Sequence, residues 1–308
     1  MTDAASEARA AVSHRRVLRI ALPIVLSNAT VPILGAVDVG VVGQMGEAAP
    51  IGAVGLGAII LSTVYWIFGF LRMGTVGLVG QAEGAGDKAE VSAWLTRALL
   101  VAVAAGIGLI VLQPLVFWAA LSLAPASPEV EGLAYTYLSI RIWTAPAAIA
   151  VYALTGWLVA MEKTAGVFWV QLVMNGVNIL LDLLFVLVFD WGVGGVAVAT
   201  VIAEITGAAL ALWFCRDAFA RPDWRDWSRI FDRAKLIRMA LLNTDILLRS
   251  AMLMVIFSSS QALNMAHTCS GVKKNGAGNE TGGPVLERRG RPQMRWMTFN
   301  CRARQSPV

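Results

Sequence analysis

Polar and apolar residues in this chain are sorted into long blocks instead of being interleaved. Seven apolar runs stand out, at about 17–43, 50–80, 97–123, 133–160, 165–189, 193–215 and 236–260. A helix needs about 20 mainly apolar residues to cross the hydrocarbon core of a bilayer, and each run is long enough. A transmembrane barrel would instead show segments of about ten residues with alternating character. The pattern therefore predicts an all-α, polytopic membrane protein.

Composition supports this reading: 57% of residues are hydrophobic and 15% charged, against roughly 25% charged in a soluble domain. Residues 1–16 are polar, and the run after them is too long for the core of a cleavable signal, so they are expected to form a cytoplasmic N-terminal segment. The three cysteines, Cys215, Cys269 and Cys301, have no CxxC spacing, which gives neither a disulfide framework nor a zinc site. The net charge of +5 collects in loops and tail and does not read as a nucleic-acid surface.

Basic residues set the expected orientation, because cytoplasmic loops carry the excess of Lys and Arg. His14, Arg15, Arg16 and Arg19 precede the first run, whereas the next loop holds Glu47 and no basic residue. Arg72, Lys88 and Arg97 mark the following side, and Glu129 and Glu131 the one after. Lys163, then Asp190, then a loop from Arg216 to Arg238 with seven basic residues continue the alternation. A cytoplasmic N-terminus follows.

The stretch "VLRIALP" at Val17–Pro23 returns as "LIRMALL" at Leu236–Leu242, six helices later and on the same side. Parallel repeats of this kind build many transporters. The expected organisation is one complete six-helix lobe at 17–215, an inter-lobe cytoplasmic loop at 216–235, and the first helix of a second lobe at 236–260. Residues 261–308 hold no further span, are rich in Gly, Arg and Asn, and break the charge alternation. They are expected to be disordered and foreign to the fold, as in a truncated or frameshifted gene.

Polar residues inside the runs carry the candidate chemistry. Asn175, Asn178 and Asp182 fall at i, i+3 and i+7, one face of a helix. Thr200 and Glu204 are four apart in the sixth run, and Asp38 stands six residues after Pro32 in the first. Intramembrane ionisable residues usually face the bundle interior and mark a pathway. Asp38 lies as far beyond Arg19 as Asp182 lies beyond Lys163, which puts both at one depth, roughly 28 Å in at ~1.5 Å per residue. Thr200 approaches the same layer from the other side. Two carboxylates, an amide and a hydroxyl suit a sodium ion, which takes oxygen ligands, or a shared proton. Glu204 is a possible second proton acceptor, Asn175 a secondary site residue, and Tyr137 a cavity-lining one. The plainer alternative is interhelical hydrogen bonding, worth about 1 kcal/mol per residue.

The segments "LRIALPIVLSNATVPILGAVDVGVVGQMG", "NGVNILLDLLFV" and "GVGGVAVATVIAE" resemble the multidrug and toxic compound extrusion family, and within it the bacterial DNA-damage-inducible protein F branch. The resemblance covers about 15–258. It implies twelve helices in two lobes, and exchange of protons or sodium for small organic, mostly cationic or amphipathic, compounds, with no cofactor beyond the coupling ion. It also implies a cation site at Asp38, Asn178, Asp182 and Thr200. Helices eight to twelve have no counterpart here, so little transport is expected of the chain by itself. A lipid-linked-precursor flippase is the nearest rival, but those line the cavity with several basic residues, and only Arg72, Arg141 and Arg249 stand inside runs away from their first residues. A non-transporting membrane subunit is another. An intramembrane aspartyl protease would need a Gly-x-Gly-Asp motif, whereas the aspartates here follow "GAV" and "ILL". The sequence leaves the oligomeric state open.

Overall fold

A computed structural model describes residues 18, 21–26, 37–38, 40–124, 126–220, 222–250 and 252–253. Residues 1–16, Arg19, Pro32 and the tail 261–308 lie outside them, and so do the expectations placed there. The chain divides into two compact units, Met1–Ile246 and Leu247–Val308. Of the second, 247–250 and 252–253 are described, and they are helical.

Among the described residues there are helices and no strands. The first run is helical at 21–26, 37–38 and 40–43, here α1. Five helices are long and apolar enough to cross a membrane: α2 (Ala48–Gly84), α3 (Lys88–Val111), α4 (Pro128–Ala160), α5 (Thr164–Val188) and α6 (Gly192–Phe214). They match the second to sixth runs. After three short helical turns, Arg216–Phe219, Pro222–Arg225 and Trp227–Ile230, 233–250 forms α7.

Large apolar side chains such as Ile107, Trp118, Trp143, Leu180, Ile205 and Trp213 are exposed on these helices. A soluble monomer rarely shows so much contiguous apolar surface, whereas lipid covers it without cost. The chain is a multi-pass membrane protein.

Several helix bounds differ from the apolar runs, each for a local reason. α3 starts at Lys88, well before residue 97, because the Asp87 side chain caps it by accepting from the Glu90 N–H. Its charged first turns are neutralised by partners elsewhere in the chain. α3 breaks at Leu112 and resumes as Gln113–Leu123; Pro114 lacks an N–H and clashes with the carbonyl four residues back. α4 starts at Pro128 instead of 133. Ser127 caps it, Pro128 opens it, and Glu129 and Glu131 occupy its first turn, where the helix dipole favours acids.

Two breaks inside spans prepare the polar layer. α4 passes through a tight 3₁₀ turn at Ile142–Thr144 before resuming at Ala145, directly ahead of Pro146. The Ala145 N–H bonds to the Ile142 carbonyl, three residues back instead of four. In α5 the α-helix ends at Asp182, and Leu183–Val188 continues as a π-helix, a widened form that often accompanies functional sites.

Two apolar clusters fill the interior. One gathers Leu71, Leu95, Leu154, Trp157 and Cys215. The other gathers Val42, Leu61, Phe117, Tyr137, Ile142 and Val196. The polar site is embedded in the second.

Candidate functional site: a buried carboxylate layer

α5 and α6 pack along much of their length, and the polar face of α5 is turned inward. Asn175, Asn178 and Asp182 are all buried, Asp182 completely. The spacing of the three predicted a common face, and the structure has one.

Asn178 Nδ2 donates to the Thr200 hydroxyl at 3.3 Å, and that hydroxyl donates to the Val196 carbonyl at 2.9 Å. This fixes Asn178 with its Oδ1 buried and without a donor. Asp182 has neither oxygen satisfied, and Asp38 Oδ1 is buried and unsatisfied as well. The Asp38 and Asp182 carboxyl groups face each other within hydrogen-bonding reach. Ionised carboxylates only accept, so these two bond to each other only when one carries a proton. The site thus brings together four acceptor oxygens that lack donors, in an interior where an unsatisfied polar atom costs about 1–3 kcal/mol and a charge more. Such a site is complementary to a cation.

The remaining sequence candidates stand around this core. Asn175 accepts from Gln171 Nε2 at 3.1 Å and sits about one turn away from Asn178. Tyr137 is buried and its ring lies against Gly57 of α2, where an added Cβ would come within 2.4 Å of the ring. Its hydroxyl accepts from an Arg141 guanidinium nitrogen at 3.0 Å. Glu204 is not an unpartnered acceptor: one oxygen pairs with Arg141, and the other accepts from the Thr144 hydroxyl at 2.5 Å. The sequence reading of Glu204 as a second proton acceptor named no partner for it, and here it has two.

Arg141 is the site residue that the pattern reading undervalued. It is buried, bonded to Tyr137 and Glu204, and close enough to act electrostatically on Asp38 and Asp182. Its carbonyl lies 2.8 Å from Thr144 Oγ1, whose single proton it shares with Glu204, and accepts from the Tyr65 hydroxyl at 3.5 Å. Because Glu204 already neutralises it, Arg141 is a poor phosphate anchor, which removes one support of the flippase reading.

Residues 23–184, more than half of the chain, match the MatE family. The chain belongs to the MatE family. Family members are transporters and not enzymes. The DNA damage-inducible protein F of Escherichia coli (strain K12) is 34% identical over 252 residues, which are 82% of this chain and 55% of that protein. A probable multidrug resistance protein NorM of Rhizobium meliloti (strain 1021) is 30% identical over 235 residues, 68% of this chain and 48% of that one. The chain thus spans about half the length of these MatE relatives. A MATE transporter crystallised in complex with MaD3S superposes with a TM-score of 0.67 over 76% of this chain and 52% of that one, at 22% identity. A likeness at that identity shows a shared fold, here the MATE fold.

Proposed function

We propose that this MatE chain contributes the cation-binding lobe of a multidrug or toxic-compound efflux antiporter. Asp38, Asn178, Asp182 and Thr200 bind the coupling ion, a proton or sodium. The observation that carries the reading is the set of donor-less buried oxygens on Asp38, Asn178 and Asp182. An empty site leaves two carboxylates facing each other in a medium of low dielectric, where like charges repel strongly. A proton on one carboxyl lets it donate to the other. A sodium ion satisfies several oxygens at once, with Thr200 keeping the Asn178 amide turned so that its oxygen is available.

Binding of this kind couples to transport when the loaded and empty states favour different arrangements of two lobes. Export of small organic, cationic or amphipathic compounds is the activity that fits, since a relative is named for multidrug resistance. The working location is the bacterial inner membrane, with the N-terminus cytoplasmic, an orientation that the excess of Lys and Arg in alternate loops supports.

The test is ion uptake by the purified chain in lipid nanodiscs. Sodium binding is read by calorimetry at alkaline pH against choline, and proton uptake by the carboxyl stretch in infrared difference spectra. Asp38→Asn and Asp182→Asn keep side-chain volume and are expected to abolish both signals while helicity is unchanged. Uptake at wild-type level in both variants would remove the site from the mechanism.

A further inference from the structure

The layer that holds Asp38 and Asp182 also holds a permanent cation of its own. Arginine stays protonated under all physiological conditions, and Arg141 is buried within electrostatic reach of both aspartates. An arginine fork is the usual partner of a buried carboxylate. Here it is turned elsewhere. One of its nitrogens is given to Glu204 and another to the Tyr137 hydroxyl at 3.0 Å, while its Nε has no acceptor at all. A buried N–H without an acceptor thus coexists with buried oxygens without donors on Asp38 and Asp182. A guanidinium turned toward the aspartates would match this unpaired donor with unpaired acceptors.

What prevents this is a built restraint. Glu204 stands on α6 one turn after Thr200, which itself is tied to Asn178 across the helix pair. Its second oxygen is fixed by the Thr144 hydroxyl at 2.5 Å. Thr144 Oγ1 also lies 2.8 Å from the Arg141 carbonyl, so that carbonyl and Glu204 share its single proton. The charged and titratable groups facing Arg141 are therefore Tyr65 on α2, Tyr137 on its own helix, Glu204 on α6, and Asp38 and Asp182 on α1 and α5. Tyr152 acts electrostatically on Glu204, and Arg72 on Tyr152.

We propose that Glu204 is a positioning residue that detains Arg141, so that the Asp38–Asp182 pair stays available to a mobile cation instead of being neutralised from within. The inference rests on the cation-site reading above and deepens it. Glu204 touches no ion itself. It sets the affinity of the site by occupying an internal competitor, Arg141, with Thr144 and Tyr137 as its supports. A purely structural ion pair would have no such effect on ion affinity.

The 308-residue chain in nanodiscs, with sodium calorimetry and infrared proton uptake as readouts, tests this. Glu204→Gln should weaken binding of both ions by about tenfold or more, because the released guanidinium turns to the aspartates. Removing the competitor too, in Arg141→Gln/Glu204→Gln, should restore affinity to within about threefold of wild type. Thr144→Val keeps both charges, frees one Glu204 oxygen, and should give a smaller loss in the same direction, which covers the case in which Glu204→Gln does not fold. Wild-type affinity in Glu204→Gln and Thr144→Val, or a double variant as weak as the single, would overturn the proposal while leaving the cation site standing. A wild-type chain that takes up neither ion would overturn both.

Discussion

Arg141 and Lys163 each hold a carboxylate, the first in the interior of the helix layer and the second near a helix end. Lys163 Nζ meets Asp217 Oδ2 at 2.5 Å, with both side chains substantially exposed. The hydrogen bond from Lys163 holds the Asp217 carboxyl below its usual range, with the lysine charge adding to it. A depressed folded value means that the contribution is present above the unfolded value, about 3.9 for Asp, and fades as pH falls through the folded one. Solvent screening limits it to well under about 1 kcal/mol. Lys163→Met is therefore expected to leave thermal stability nearly unchanged, with what difference there is vanishing in high salt. Arg141→Met is different. It strands Glu204 in the interior, and breaking a buried pair from one side costs roughly 3–5 kcal/mol. A thermal melt of the purified chain should separate the two variants clearly, and equal losses would contradict this account of burial. The pairing of Arg141 was legible in principle. α4 and α6 begin on the same side, and the two residues lie nearly the same number of positions past Pro128 and Gly192.

At the scale of elements, the α-to-π change in α5 and the 3₁₀ turn of α4 decide which way the polar groups point. The i, i+3, i+7 spacing of Asn175, Asn178 and Asp182 already specified their common face, because helical periodicity is local. Beside the break in α4, α3 packs closely against Pro146. Gly106 of α3 lies so near that an added Cβ would be 2.3 Å from the Pro146 Cα. That contact is with backbone, which cannot swing aside. Gly106→Val is expected to push α3 from α4, lower the melting temperature and loosen Arg141. Overpacking of this kind typically costs about 1–3 kcal/mol. A Gly106→Val chain with wild-type melting and ion affinity would show that the helices can part freely there. The early starts of α3 and α4 escaped the apolar pattern for one reason: their first turns are charged, and hydropathy counts a neutralised or dipole-favoured charge as a boundary.

At the scale of the whole molecule, the segment 216–235 is folded onto the start of α3 and is not a loose connection. Arg97, fully buried, donates through Nε to the Ile230 carbonyl at 2.9 Å and through a terminal nitrogen to Arg229 O at 2.5 Å, while another pairs with Glu90 Oε1 at 2.6 Å. Lys235 reaches Glu90 at 2.5 Å, Arg229 reaches it at 3.4 Å, and Thr96 donates to Trp224 O at 3.3 Å. Arg97→Met keeps the apolar stem but removes these donors. It should expose the basic segment to trypsin, so that limited proteolysis yields a fragment ending near residue 216–235 faster than in wild type. Equal cleavage rates would mean that the segment is held by its apolar contacts instead. The sequence by itself determined the membrane environment, five of the spans, the family and the polar face of α5, since each follows from composition, length or local periodicity. Tertiary structure alone decided that Glu204 belongs to Arg141, that Asp38 meets Asp182 without a donor between them, and that Arg97 fastens a distant segment. Those outcomes depend on which helices become neighbours, and a charge in the sequence carries no label for the partner that burial will force on it.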